Sequence, residues 1–496
     1  MKRKSTYSLR GTAMLGAMLL FASSVQAQWS ADPATNLIVA DGAGGSTQPK
    51  IAAAPDGGFY VSWFSDTGGF DIYLQKLDAN GNELWAHNGV LVADRNYGFT
   101  YDYGLAVDDA GNAYVSFNCC DNNSPNEHIV VSKVLADGTL AWGASGITVS
   151  ALSSTEAVYN AYVTPTTDGN VVAAWSAAGG VRAQKLDSSG NPLWVANGVL
   201  LNQPSGFKLL GGVQPGLNGD AIASWSNQSG STRILRAQKM ASADGAAAWG
   251  GGTAMRVFGA GNLQAGYYPP FLADGAGGGV FWDYDSIGTA FFARVQHLDA
   301  SGNPLLDPNG VLATTDPANL HTDTHASYDA TSGSIYAVWR NNMTDGSGHT
   351  FDGVSAQRID ASGARSWGDS GKELVPLTDS TDSTYAISQL TALPLADGFL
   401  AGWTTGAIPA ANQPISVARL DTLGDFVWPA QMVSTKTQRY TGRTVGTIGA
   451  GGFAVYAWQD GDDGAGTSTI RAQNLRLDGS LGLSNDTIFA DGFEGH

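Results

Sequence analysis

Charge and cysteine are what this sequence has least of. Only 14% of its 496 residues are charged, and basic side chains are the scarcer kind, 26 against 44 acidic, for a net −18. Such a surface repels phosphate backbones and anionic lipid heads, which argues against a nucleic-acid partner. Two cysteines, Cys119 and Cys120, cannot build a disulfide framework. The chain carries no Gly-x-Ser-x-Gly elbow, no His-Glu-x-x-His helix and no phosphate loop. Helical periodicity is missing, and past residue 27 no apolar run is long enough to span a bilayer.

The N-terminus reads as a secretory signal. "MKRK" and Arg10 form a basic start, "GTAMLGAMLLFA" an apolar stretch, and "VQA" a small-residue cleavage site after Ala27. Residues 1–27 are therefore expected to be removed. Losing Lys2, Arg3, Lys4 and Arg10, four positive charges, takes the net charge from −18 to −22. The expected address is secreted, periplasmic or cell-surface, with no integral membrane segment after cleavage.

What the sequence has in plenty is glycine, 65 residues, placed in a repeat. Gly81, Gly138, Gly190, Gly245, Gly302, Gly363, Gly424 and Gly479 each sit in a turn. Four residues after each comes a large apolar side chain: Trp85, Trp142, Trp194, Trp249, Leu306, Trp367, Trp428 and Leu483. Upstream, a second aromatic ends an apolar run: Trp63, Phe117, Trp175, Trp225, Trp282, Trp339, Trp403 and Trp458. These two positions and Trp29 account for all 14 tryptophans, which favours core packing over a sugar-stacking stripe.

Each copy reads as four strands. In the first they are "PKIAAA", "FYVSW", "DIYLQKL" and "ELWAHNGVLVA", separated by Asp-Gly and Asn-Gly turns. Phe59, Val61 and Trp63 alternate with small residues such as Ser62, so a bulky face of one sheet can cover a small face of the next. That pattern suits sheets stacked around an axis. The eighth copy has a weak fourth strand, and the mature N-terminus, "QWSADPATNLIVAD", supplies a match to "LWAHNGVLVAD". The expectation is an all-β fold: an eight-bladed β-propeller of four-stranded antiparallel blades over residues 28–484, closed by the N-terminal strand. Residues 485–496 form a tail.

Variation between copies concentrates between the second and third strands, where the spacing from aromatic to turn glycine runs from 15 to 24 residues. Variable loops on a rigid frame are where function gathers. Blade 2 has "NCCDNNSPNEH" and blade 6 "RNNMTDGSGHTFD". Candidate ligand contacts there are Asn122, Asn123, Glu127, Arg340, Asn341, Asp345 and His349. The crossovers between blades add tyrosines, among them Tyr101, Tyr267 and Tyr440, suited either to stacking on a ligand or to rim packing. Asp460, Asp462 and Asp463 in "DGDDGAG" are candidate calcium ligands, though without the downstream Glu of a full calcium loop. His321, Asp323 and His325 in "HTDTH" would share one side of a regular strand and suit zinc; a solvated loop is the competing reading. Gln75, Gln184, Gln238, Gln296, Gln357 and Gln473 recur at one register of the third strand, which points to a hydrogen bond internal to each blade. Within the chain, Cys119 and Cys120 can pair only with each other; paired and reduced states both stay open.

The residues Trp63, Asp66, Asp71, Ile72, Tyr73, Gln75, Leu77, Asp78, Gly81 and Trp85 resemble the propeller repeat of secreted bacterial proteins, "W-x-D…D-I-Y-x-Q-x-L-D-x-x-G-x-x-x-W". Asp187, Gly190 and Trp194 are more distantly similar to the tryptophan-docking repeat of quinoprotein dehydrogenases. That resemblance implies an eight-bladed ring, a quinone with calcium, and a vicinal disulfide at Cys119 and Cys120. The tail "DTIFADGFEGH" resembles a C-terminal tag of exported Gram-negative proteins. The leading expectation is a secreted, non-enzymatic binding propeller that recognises a glycan, peptide or protein at one mouth of the ring. The alternative is an extracytoplasmic enzyme using that mouth, either a quinoprotein-like oxidoreductase or a glycan-active enzyme.

Overall fold

A computed structural model describes residues 28–483, apart from 96–97, 99, 120–126, 152–156, 383–384, 407–412, 436–440 and 462–466. It is all-β, with eight antiparallel sheets arranged as an eight-bladed propeller. Blade 1 shows the pattern, from the axis outward: Ser46–Ala53, Phe59–Asp66, Phe70–Leu77 and Val90–Ala93. Blade 8 takes three strands from the C-terminal end, Thr441–Ile448, Ala454–Asp460 and Thr469–Leu475. Its outer strand is Leu37–Ala40, paired through Leu37 with Ala472 and Ile38 with Arg471. The first and last parts of the described chain therefore share one sheet, and the ring is closed as the repeat predicts.

Packing explains the repeat. Eight apolar clusters each straddle one seam between adjacent blades, from blades 1 and 2 around to blades 8 and 1. Trp63, Trp175, Trp225, Trp339 and Trp458 are all at most 1% exposed. The second repeat position works differently. The indole N–H of Trp29 donates to the Ala79 carbonyl at 2.9 Å, and those of Trp85, Trp142, Trp194, Trp249, Trp367 and Trp428 reach the turn of the following blade in the same way. The ring lies over the turn glycine: a Cβ on Gly81 would stand 2.7 Å from Trp29, and one on Gly424 2.8 Å from Trp367. All eight turn glycines have φ between 74° and 88°. Backbone conformation and the neighbour's indole both demand glycine there.

The recurrent glutamines bind within their blades, as expected. Gln184 Nε2 donates to the Val195 carbonyl at 2.9 Å, while its Oε1 accepts from the Lys185 and Trp194 amides. Gln75, Gln238, Gln296 and Gln357 repeat the arrangement on the segment that carries the docking side chain. In blade 8, Gln473 donates to Ser30 of the N-terminal segment, another tie across the closure.

Two expectations need correction. The fourth strand does not run unbroken from Glu83: Glu83 bridges Leu77, a turn follows, and the strand proper is Val90–Ala93. In blade 5 the repeat alignment slips by one residue. Val61 pairs with Gln75 and Phe281 with Gln296, so Asp283, not Trp282, occupies the position of Trp63. Trp282 turns to the other face and packs in the seam with blade 6.

Candidate functional site

The inner strands line the axis, and at one level they break step. Pairing shifts between Thr47 and Lys50 in blade 1, Tyr159 and Ala161 in blade 3, and Leu210 and Gly212 in blade 4. It shifts again between Thr322 and His325, Ser388 and Thr391, and Gly442 and Val445 in blades 6, 7 and 8. Inside these bulges Gln48, Asn160, Asp323, Gln389 and Arg443 have φ of 56°, 49°, 50°, 54° and 58°. A left-handed conformation costs a non-glycine residue about 1–2 kcal/mol. Bulges re-aim side chains, and strain of this kind gathers at functional positions. Blade 2 sets Asp102 at the same level, two residues before its inner strand Gly104–Val107. In blade 5 the inner strand is split into Asn262–Leu263 and Phe271–Ala273, and the connection between them carries Tyr267 and Tyr268.

A cavity of about 420 Å³ opens at this level, lined by Gln48, Pro49, Lys50, Thr100, Asp102, Tyr268, Gln389, Arg443, Thr444 and Val445. Five blades contribute to one space, which places it on the axis. Lys50 Nζ lies 2.6 Å from Asp102 Oδ1, and the Tyr162 hydroxyl donates to Asp102 Oδ2 at 2.6 Å. Burial alone would raise the Asp102 pKa, but Lys50, Tyr162 and the Tyr103 amide outweigh it and hold the carboxyl below its ordinary range. The phenols of Tyr162 and Tyr268 are pushed up by burial and by the Asp102 charge. His325, at the register of Lys50 in blade 6, is pushed down by burial against the opposing pull of Asp323. At neutral pH the site thus holds an ionised Asp102 beside Lys50, neutral tyrosines and a neutral His325.

The residues expected from sequence fall into several places. The blade 6 "loop" is instead a long hairpin, Ser334–Thr344 and Thr350–Ile359, because Asp345 and Gly348 close a tight turn and leave the flanks free to pair. Asp345 accepts from the amides of Ser347 and His349 at its tip. Arg340 binds both oxygens of Asp352, at 3.0 and 2.9 Å, and lines a groove of about 370 Å³ with Tyr385. Asn341 faces inward: its Oδ1 accepts from the Trp339 indole and meets His321 Nδ1, while its Nδ2 donates to Ser355. Tyr101 lies 5.8 Å from Tyr159, and Tyr267 packs 4.4 Å from Tyr284. Glu127 is half-buried ahead of the third strand of blade 2. Asn122, Asn123, Tyr440, Asp462, Asp463 and Cys120 lie outside the described residues. Cys119 is buried at the end of strand Ala113–Cys119. Asp460 is buried against Arg471, with 2.5 Å between Oδ2 and Nε.

The "HTDTH" trio does not share one side. Its strand bulges between Thr322 and His325, which breaks the alternation, and His321 is taken up by Asn341 and the Asp316 carbonyl. Among the described residues, no group of three His, Cys, Asp or Glu is placed to hold a metal. Sequence reasoning missed Gln48, Lys50, Asp102, Asn160, Gln389 and Arg443. Their signal is a polar column at the start of each first strand, visible in "TQPK", "TYDYG", "YNAY", "ISQLT" and "TGRTV".

No family model matches the chain, and no curated protein does. Solved structures similar in fold include a polysaccharide lyase, PL25 ulvan lyase, at 10% identity and a TM-score of 0.44, covering 92% of this chain and 98% of that one. An α-L-arabinanase of Penicillium chrysogenum complexed with arabinobiose is 11% identical, with a TM-score of 0.39 and coverage of 90% and 99%. The polysaccharide lyase Uly1 is 12% identical, with a TM-score of 0.42 and coverage of 78% and 92%.

Proposed function

We propose that this protein is a secreted binding propeller that takes a saccharide at the mouth of its central channel. The observation that carries the reading is the ring of bulges. Five non-glycine residues adopt a left-handed conformation at one level, and three of them, Gln48, Gln389 and Arg443, line one cavity. Repeat packing gains nothing from this strain, so a ligand is its natural beneficiary. The chemistry of the ring suits a polyhydroxylated ligand. Amides at Gln48, Asn160 and Gln389 both donate and accept, Asp102 accepts, and Lys50 and Arg443 donate. Tyr268 adds an aromatic face. An ionised Asp102 held by Lys50 is suited to accepting hydroxyl hydrogen bonds and poorly suited to acting as a general acid. Arg340 and Tyr385 offer a second contact area over blades 6 and 7. A disulfide between Cys119 and Cys120 and calcium at Asp460, Asp462 and Asp463 remain proposals of the sequence.

A glycan array probed with the mature chain, followed by calorimetry, tests the reading. Gln389→Ala and Arg443→Ala should each weaken binding at least tenfold. Saccharide binding unaffected by either variant would refute it. A second reading, an enzyme using the same mouth, draws on His325, whose neutral imidazole stands in the channel wall. It requires turnover of the bound glycan that His325→Ala abolishes.

A further inference from the structure

On the face opposite the channel mouth, side chains tie each blade to the turns of the next. Lys185 of blade 3 donates to the Gly219 carbonyl at 2.8 Å and to the Ser242 hydroxyl at 2.6 Å, both in blade 4. Lys239, Arg358 and Arg419, in blades 4, 6 and 7, donate to the carbonyls of Ala300, Thr422 and Leu477. Those oxygens also take the indoles of Trp249, Trp367 and Trp428. In blade 1 the tie is Tyr60, whose hydroxyl donates to the Gly111 carbonyl of blade 2 at 2.7 Å.

The seam between blades 2 and 3 has neither kind of tie. Tyr114, the counterpart of Tyr60, turns its hydroxyl back to Asp108 of its own blade. Lys133, the counterpart of Lys185, lies over the Tyr114 ring at 5.4 Å. Asp56 and Asp168 hold Lys76 and Lys185, but the matching turn position in blade 2 is Ala110. Among the described lysines, only the Lys133 ammonium meets no carboxylate or carbonyl. Across the seam, Ser188 accepts the Trp142 indole at 3.3 Å, the longest of the seven docking bonds.

Where the ties are missing, a cavity of about 740 Å³ opens, with Lys133, Gly169 and Ser188 in its walls. It reaches inward to Val107, Pro165 and Pro215, the last residues of three inner strands. From Asn160 in the bulge ring to Pro165 the strand of blade 3 runs about 16 Å, so this space is distinct from the channel mouth. Its charge limits what it can hold. Asp108 and Asp109 line it beside Lys133, so an anion would meet two carboxylates and one ammonium. Asp108 is engaged by the amides of Ala110 and Asn112, while Asp109 is exposed. A sugar hydroxyl can accept from Lys133 and donate to Asp109, and Thr164, Ser188 and Gln214 add groups that donate and accept.

We propose that the opened seam between blades 2 and 3 is a second ligand site, for a neutral saccharide whose hydroxyls take up the Lys133 ammonium. It lies on the face opposite the channel mouth and does not depend on binding there.

Lysine acetylation read by mass spectrometry tests it. The probes are short neutral oligosaccharides of glucose, mannose, galactose and xylose, with an oligogalacturonate beside them, each at millimolar concentration. In the mature chain alone, Lys133 should react at least tenfold faster than Lys76 and Lys185, which are 3% and 1% exposed. At least one neutral probe should slow that reaction at least fivefold, and the protection should persist in Arg443→Ala. Ala110→Asp supplies the acid that blades 1 and 3 possess; it should slow acetylation without a probe and abolish the further effect of the probe. Lys133 reacting no faster than Lys185, no protection by any neutral probe, or protection by the oligogalacturonate alone each overturns the proposal. So does protection that Arg443→Ala removes, because the ligand is then held at the channel mouth. Loss of channel binding with Lys133 still protected would sink the channel reading alone. Protection is read on the unmutated chain, so a variant that fails to fold leaves the test in force.

Discussion

Deleting Gln28–Asp41 removes the strand that closes the ring, and its effect can be worked from the contacts it makes. Trp29, Leu37 and Val39 are 4%, 3% and 0% exposed. Burying side chains of this kind contributes roughly 1.5–3 kcal/mol each, about 6 kcal/mol together. Hydrogen bonds from Trp29 to Ala79, from Asn36 to Val433 and from Gln473 to Ser30 add about 0.5–1.5 kcal/mol apiece. Domains of ordinary stability hold about 5–15 kcal/mol in all. The deletion should therefore remove at least half of the margin and expose Phe59, Val455 and Ile470 of the same cluster. Urea unfolding followed by tryptophan fluorescence measures the loss. A peptide of residues 28–41 added in trans should restore part of it. An unchanged midpoint would show that the ring does not depend on this strand.

Trp194→Ala should cost about 3–5 kcal/mol, because it empties the dock over Gly245 and leaves the Ser242 carbonyl without its indole donor; chemical denaturation reads this directly. Gly190→Ala should cost about 2 kcal/mol or more in the same assay, since φ is 88° and the new Cβ would lie 2.8 Å from Ile147. Asp283 gives a pH signature. Burial, then the charge of Asp285, raises its carboxyl well above the usual range, so its folded pKa exceeds its unfolded one. Its contribution is full below about pH 4, the unfolded value, and is lost as pH rises through the raised pKa. Asp283→Asn should accordingly flatten the fall in melting midpoint toward alkaline pH, and an identical slope in both proteins would contradict the assignment.

Blade number, strand order and ring closure were legible because each rests on a short-range rule repeated eight times. A turn glycine, an aromatic four residues later and a glutamine one strand upstream serve the same local contacts in nearly every blade. What the repeat could not reveal was departure from itself. Asp283 was hidden because Trp282, one residue away, offered a plausible aromatic, and only the pairing of Phe281 with Gln296 exposes the slip. His321, Asp323 and His325 were misjudged because alternation assumes a regular strand, and the bulge at Asp323 breaks it. The channel ring was overlooked for a related reason. Gln48, Asp102, Asn160, Gln389 and Arg443 differ in type, so no motif links them; their kinship is positional, and the positive φ of four of them is a property of the backbone.

The most direct test of the central claim sets the channel mouth against the exposed hairpin tip. Binding of an array-identified saccharide should be measured by calorimetry for Asp102→Asn and Tyr162→Phe, and for Asp345→Ala and His349→Ala. The channel pair should each lose at least tenfold in affinity while still melting in a single cooperative transition, and the hairpin pair should bind as the parent does. Full affinity in the channel variants with loss in the hairpin variants, or no saccharide bound by the parent at all, would contradict the account.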